Sequence, residues 1–157
     1  MLVKRAATLQ ETLRLKKLPA NGTAWHELLF EGLPYSSLRS TAKVLGMKEP
    51  ELVAHLGLKS AQAAARKRAR RLHAPESDVL YAIALAYVRL AGFMEPVKAR
   101  EWLKSPNEAL KGYRPIDLLR TRLGTEYVMT AIERMRPAPI VTSKVEDLYE
   151  KDDPEDE

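Results

Sequence analysis

The sequence predicts an all-α fold, with an N-terminal helix-turn-helix half followed by a small helical domain. Three observations carry this. Apolar residues recur at helical spacing along most of the chain, and a Gly, Pro or Asn stands between successive apolar stripes. No run of four to eight residues alternates apolar and polar with β-branched enrichment, so no strand is expected. Four segments follow: an N-terminal helical arm (1–32), a helix-turn-helix region (33–75), a second helical domain (76–135) and an extended acidic tail (136–157).

In the arm, Leu2, Ala6, Leu9 and Leu13 make one helical stripe that Pro19 and Asn21-Gly22 stop. Thr23 is the expected N-cap of a short helix carrying Trp25, Leu28 and Leu29, closed by Gly32. After Pro34, Ser36 or Ser37 is expected to cap a helix whose inner face is Leu38, Thr41, Ala42 and Leu45. Glu49 caps and Pro50 opens the next, with Leu52, Val53 and Leu56 inward. Gly57 then makes a sharp turn, Leu58 plugs the angle, and a second helix runs from Ser60 to Leu72.

Val79, Ile83, Ala86, Leu90 and Phe93 line one side of the following helix, while Leu80, Ala84, Tyr87 and Ala91 make the other side apolar as well. Such a helix is buried or shared between two bodies, and is a candidate dimer contact. Beyond Glu95-Pro96, Val97, Ala99, Trp102 and Leu103 face inward; Ser105-Pro106-Asn107 is a turn, and Gly112 permits a reversal. A helix from Pro115 through Leu123 is broken and recapped at Gly124-Thr125, and Val128, Ile132 and Met135 form the inner stripe of the last. Pro137 and Pro139 then force an extended segment.

Charge divides the chain sharply. The 157 residues sum to +5, yet from Lys144 onward eight acids and two lysines give −6, leaving +11 on the first 143. Such a basic body commonly meets a polyanion. Six basic residues lie between Lys59 and Arg71 with no acid among them, which points to DNA phosphate. Lys59, Ser60, Gln62, Arg66, Lys67 and Arg70 are the candidate DNA-binding residues, Gln62 and Arg66 being the ones able to pair with adenine and guanine. With Ala61 and Ala65 at places that would touch base edges, little hydrogen-bonding capacity is left, so the expectation is phosphate-led binding of modest sequence preference or binding made specific by a dimer or the toxin complex, the alternative being a purely protein-binding face.

Catalytic chemistry finds no support. His26-Glu27 begins like a zinc-protease motif, but Phe30 stands where the second ligand belongs. His26, His55 and His73 have no metal spacing and read as surface or capping residues. No Gly-rich phosphate loop or nucleophile elbow occurs, so no catalytic residue, metal or cofactor is expected. The absence of cysteine fits a reducing cytoplasm. Val79 to Val88 is about half of a membrane span, and Met1 to Arg5 opens no signal peptide.

One stretch carries a more specific likeness. Trp102-Leu103, Pro106-Asn107, Ala109-Leu110, Gly112, Pro115, Asp117-Leu118-Leu119, Thr121 and Gly124 occur in the order and spacing of the C-terminal domain of the MbcA/ParS/Xre antitoxins, which this region resembles. The basic helix and the Pro75-Glu76-Ser77-Asp78 phrase after it resemble the Cro/C1-like half of Xre antitoxins, so the likeness covers about residues 33 to 135. It implies an antitoxin that binds a RES-domain toxin, an enzyme acting on NAD, and represses its own operon as a homodimer on operator DNA. A stand-alone regulator without a toxin is the alternative. The matched residues are punctuation and core, Trp102, Leu118 and Leu119 above all, so toxin contact is expected at Tyr127, Arg134, Arg136, Pro139, Ile140 and Val141. After Met135 the chain departs from the family's usual ending. The resemblance implies that the C-terminal end blocks the toxin's NAD pocket; the charge reversal at Lys144 points to Pro139-Ile140-Val141 entering it with the acidic tail on basic groups that hold NAD phosphates, and a disordered solubilising tail is the alternative.

Overall fold

The structure, a computed structural model, describes residues 7–138. Among these the chain is helical, with no strand and a single bridge between Pro34 and Arg71. Much of the element order follows from caps. Thr8 Oγ1 accepts from the Glu11 N–H and opens one turn, α1 (Leu9–Thr12), which ends at the fully buried Leu13. The arm helix expected from Leu2 is therefore confined to this turn among the described residues. Asn21, not Thr23, caps α2 (Gly22–Glu31): its backbone is extended and its Oδ1 accepts from the Ala24 N–H at 2.9 Å. Gly32 closes α2 at φ +106, where a Cβ would lie 1.8 Å from the Leu72 carbonyl oxygen, so only glycine lets these strands of backbone meet.

Helix α3 (Tyr35–Leu45) starts directly after Pro34, and neither Ser36 nor Ser37 caps it. Ser37 sits a turn inside, buried, donating its hydroxyl to the Leu13 carbonyl and tying the arm to α3. Its expected inner face of Leu38, Thr41, Ala42 and Leu45 is buried throughout. In α4 (Glu49–His55) the cap position is Lys48, one residue earlier than expected, which frees the Glu49 carboxylate to accept from the Tyr35 hydroxyl at 2.6 Å. Gly57 turns the chain at φ +76. Helix α5 (Ser60–Ala69) stops three residues short of Leu72, because Arg70 adopts a left-handed conformation at φ 59. Leu72 is fully buried there, its N–H donating to the Leu33 carbonyl at 2.8 Å.

Helix α6 (Ala74–Ala91) is the hub. Helices α1, α2 and α3 pack on it from the N-terminal side, and α7 (Pro96–Lys104) and α9 (Arg122–Met135) from the C-terminal side. Leu80, Ile83, Ala84, Ala86 and Leu90 are completely buried, and the Trp25 and Tyr81 rings meet at 4.9 Å. One apolar cluster runs from Leu13 to Ile132 through α6, crossing the expected division at residue 75. Polar contacts bridge the same two halves. Lys104 Nζ donates to the Leu45 carbonyl at 2.8 Å at the end of α3, and His55 at the end of α4 lies 3.6 Å from Asp117 in α8 (Pro115–Leu118).

Candidate docking surfaces

The turn after α7 is built around Asn107. Its Oδ1 accepts from the Ala109 N–H at 2.9 Å, its carbonyl from Leu110 and Gly112, and its N–H donates to the Tyr113 carbonyl at 3.1 Å. A single residue thus closes the loop that holds the one-turn 3-10 helix Glu108–Leu110, and an alanine here would leave three of these bonds but lose the side-chain one. Arg114 grips Asp117 through two bonds of 2.9 and 3.0 Å, which hold the carboxyl below the usual carboxylate range, with His55 adding to the effect. Burial pushes the His55 pKa down against the pull of Asp117. His55 is thus a half-buried link between α4 and α8, where a surface or capping role was expected.

The helix expected to run from Pro115 through Leu123 ends at Leu118. Thr121, not Thr125, caps α9, its Oγ1 accepting from the Gly124 N–H at 3.0 Å. Gly124 is buried inside the first turn, where a Cβ would stand 2.0 Å from the Leu118 carbonyl oxygen. The Thr-x-x-Gly phrase is a cap and a close approach in one, which folds α8 back on α9. Ala99, Leu103, Leu119, Val128 and Ile132 then fill the interior, with Trp102 and Leu118 half-buried against it. Val97 and Met135, expected inside, are 52% and 38% exposed.

Helix α9 carries a second face. Leu123, Tyr127, Thr130 and Arg134 fall at i, i+4, i+7 and i+11, opposite the buried Val128 and Ile132. Leu123 is 62% and Tyr127 60% exposed, and Tyr113 on the preceding turn is 58% exposed. Tyr127, Arg134 and Arg136 all lie on the accessible side, Arg136 pairing loosely with Glu133 at 3.7 Å. Leu123 and Tyr113 escaped the sequence reading because core periodicity explains Leu123 equally well until Thr121 fixes the helix phase. Pro139, Ile140 and Val141 lie outside the described residues.

The upstream basic surface is reorganised by one ion pair. Arg66 Nε lies 2.6 Å from the buried Glu76, whose carboxylate also accepts from the His73 N–H at 2.7 Å and opens α6. Burial opposes the charge on Glu76, but these donors outweigh it and hold its pKa below the ordinary value. Arg66 is therefore directed toward α6. Gln62 Oε1 accepts from the Lys59 N–H at 2.9 Å, capping the start of α5. Lys59, Ser60, Lys67 and Arg70 remain exposed, with Arg68 and Arg71 beside them. A groove of about 670 Å³ between α4 and α5, lined by Val53, Leu58, Ala63, Ala64, Lys59 and Lys67, separates this surface from α3.

A compact helical platform whose last helix shows apolar side chains to solvent, opposite its buried stripe, belongs to the class of protein-docking domains. Residues 91–137 match the antitoxin Xre/MbcA/ParS C-terminal toxin-binding domain. The match spans 47 of the 157 residues and makes this C-terminal part similar to the toxin-binding domain of that antitoxin family, which supports an antitoxin role. No curated protein matches the chain. Among the described residues no helix is long and apolar enough to cross a membrane.

Proposed function

We propose that the chain neutralises a RES-domain toxin in the cytoplasm by covering it with the outer face of α9 and the segment that follows, and that it represses its own operon through the α4–α5 helix-turn-helix as a homodimer. The observation that carries the first half is the solvent-facing stripe of Leu123 and Tyr127 within the matched toxin-binding domain. Aromatic and aliphatic anchors flanked by Arg134 and Arg136 are the composition that interface centres favour. Pro139, Ile140 and Val141 follow the exposed end of α9 in the sequence, next to the apolar stripe, and are the residues assigned to the toxin's nucleotide pocket.

The second half rests on Lys59, Ser60, Lys67 and Arg70 around α5, all exposed. Because Arg66 is paired with Glu76 and Gln62 caps the helix, the surface offers phosphate contacts rather than base contacts. Binding of steep salt dependence and modest sequence preference follows. The protein acts by binding, with no chemistry of its own. Co-expression with a RES-domain gene encoded beside it, scoring growth and NAD content, tests the reading. Full-length chain restores both, and a chain lacking residues 137–157 does not; protection by the truncated chain would contradict the role given to the C-terminal segment.

A further inference from the structure

The exposed cations Lys59, Lys67, Arg68, Arg70 and Arg71 form no ion pair with an acid among the described residues: Glu76 is taken by Arg66, and Glu49, which lines the same groove as Lys59 and Lys67, is held by the Tyr35 hydroxyl and Arg39. From Leu56 to Pro75 the sequence holds no acid at all. Charges of one sign so crowded repel unless an anion lies nearby. The same chain carries one: Asp152-Asp153-Pro154-Glu155-Asp156-Glu157 has five carboxylates and no base.

The lengths permit contact. Helix α9 ends beside the C-terminal end of α6, where Ile132, Glu133 and Arg136 meet Val88, Gly92 and Phe93. Helix α5 is tied to the opposite end of α6 by Arg66 and Glu76. The 18 residues of α6 span about 27 Å at ~1.5 Å each. Thirteen residues lie between Ala138 and Asp152, so fourteen steps of chain at ~3.3 Å each can reach about 46 Å. A tether of this length places the carboxylates at an effective concentration of order millimolar.

We infer that the acidic residues 152–157 close on the Lys59–Arg71 surface of the same chain and hold it against other polyanions. The contact stands without the DNA reading; its competitive consequence rests on that reading. The tail then acts as an internal stand-in for a phosphate backbone, and a partner that takes the C-terminal segment uncovers the basic surface.

Carbodiimide coupling of the full-length chain at low salt, using an equal mixture of ¹⁴N and ¹⁵N protein, tests the contact. Cross-links from residues 152–157 should fall on Lys59 and Lys67 within one chain and disappear at high salt. Links shared evenly with Lys43, Lys98 and Lys111, or only between chains, overturn the proposal. In parallel, a full-length variant with Asp152, Asp153 and Asp156 changed to Asn and Glu155 and Glu157 to Gln should bind duplex DNA roughly tenfold more tightly at low salt. Unchanged affinity overturns the competition. If neither protein binds duplex while the cross-links appear, the DNA reading fails and the contact survives.

Discussion

A methyl group at position 124 would meet the Leu118 carbonyl oxygen at 2.0 Å and the Thr121 hydroxyl that caps the helix at 2.9 Å, and the Leu118 backbone cannot give way without moving α8. Gly124→Ala should therefore separate α8 from α9 and destabilise the chain by about 2–4 kcal/mol, read from thermal or urea unfolding. Glu76 is the second residue on which local structure turns, because it caps α6 and neutralises Arg66 together. Its pKa is lower folded than unfolded, so the unfolded chain takes up the proton first and the stabilisation disappears as pH falls through the acidic range. Asp117 and His55, both also depressed, act in the same direction. Glu76→Gln should lower stability at neutral pH by about 2 kcal/mol and flatten its fall between pH 5 and 3, about the range of carboxylate titration. A variant as acid-sensitive as the parent would exclude this role. Much at this scale was hidden in the sequence. Asn107 and Pro106 read as turn residues from their types alone, whereas the pairing of Arg66 with Glu76 and the approach of His55 to Asp117 join different helices and leave no local trace.

Elements were legible wherever periodicity alone decides them. The face Leu38, Thr41, Ala42 and Leu45 is buried, and α6 is apolar on all sides because five helices pack around it. Boundaries shift where a tertiary contact outweighs local preference. Leu72 leaves the α5 helix because its N–H pairs with Leu33, and Thr121 captures the cap of α9 because Gly124 must press against Leu118. Helix α5 itself buries no side chain completely. Its charge is thus free to act outward, apart from Arg66. Lys67→Gln should reduce the slope of log affinity for duplex against log salt by about one, with melting unchanged. A slope equal to the parent's would place Lys67 off the nucleic acid.

Across the whole molecule, the two halves share α6, one apolar cluster and two polar bridges, Lys104 to Leu45 and Asp117 to His55. The outer stripe of α9 was only partly legible beforehand: Tyr127, Arg134 and Arg136 stand out as surface residues, while Leu123 and Tyr113 are ordinary apolar residues until the fold exposes them. The most direct test is calorimetric titration of a purified RES-domain toxin with the parent chain, Leu123→Asp and Tyr127→Ala. The account predicts nanomolar-class binding by the parent (about 12 kcal/mol) and a loss of at least about tenfold in each variant, with melting unchanged. Equal affinity for all three chains would contradict it.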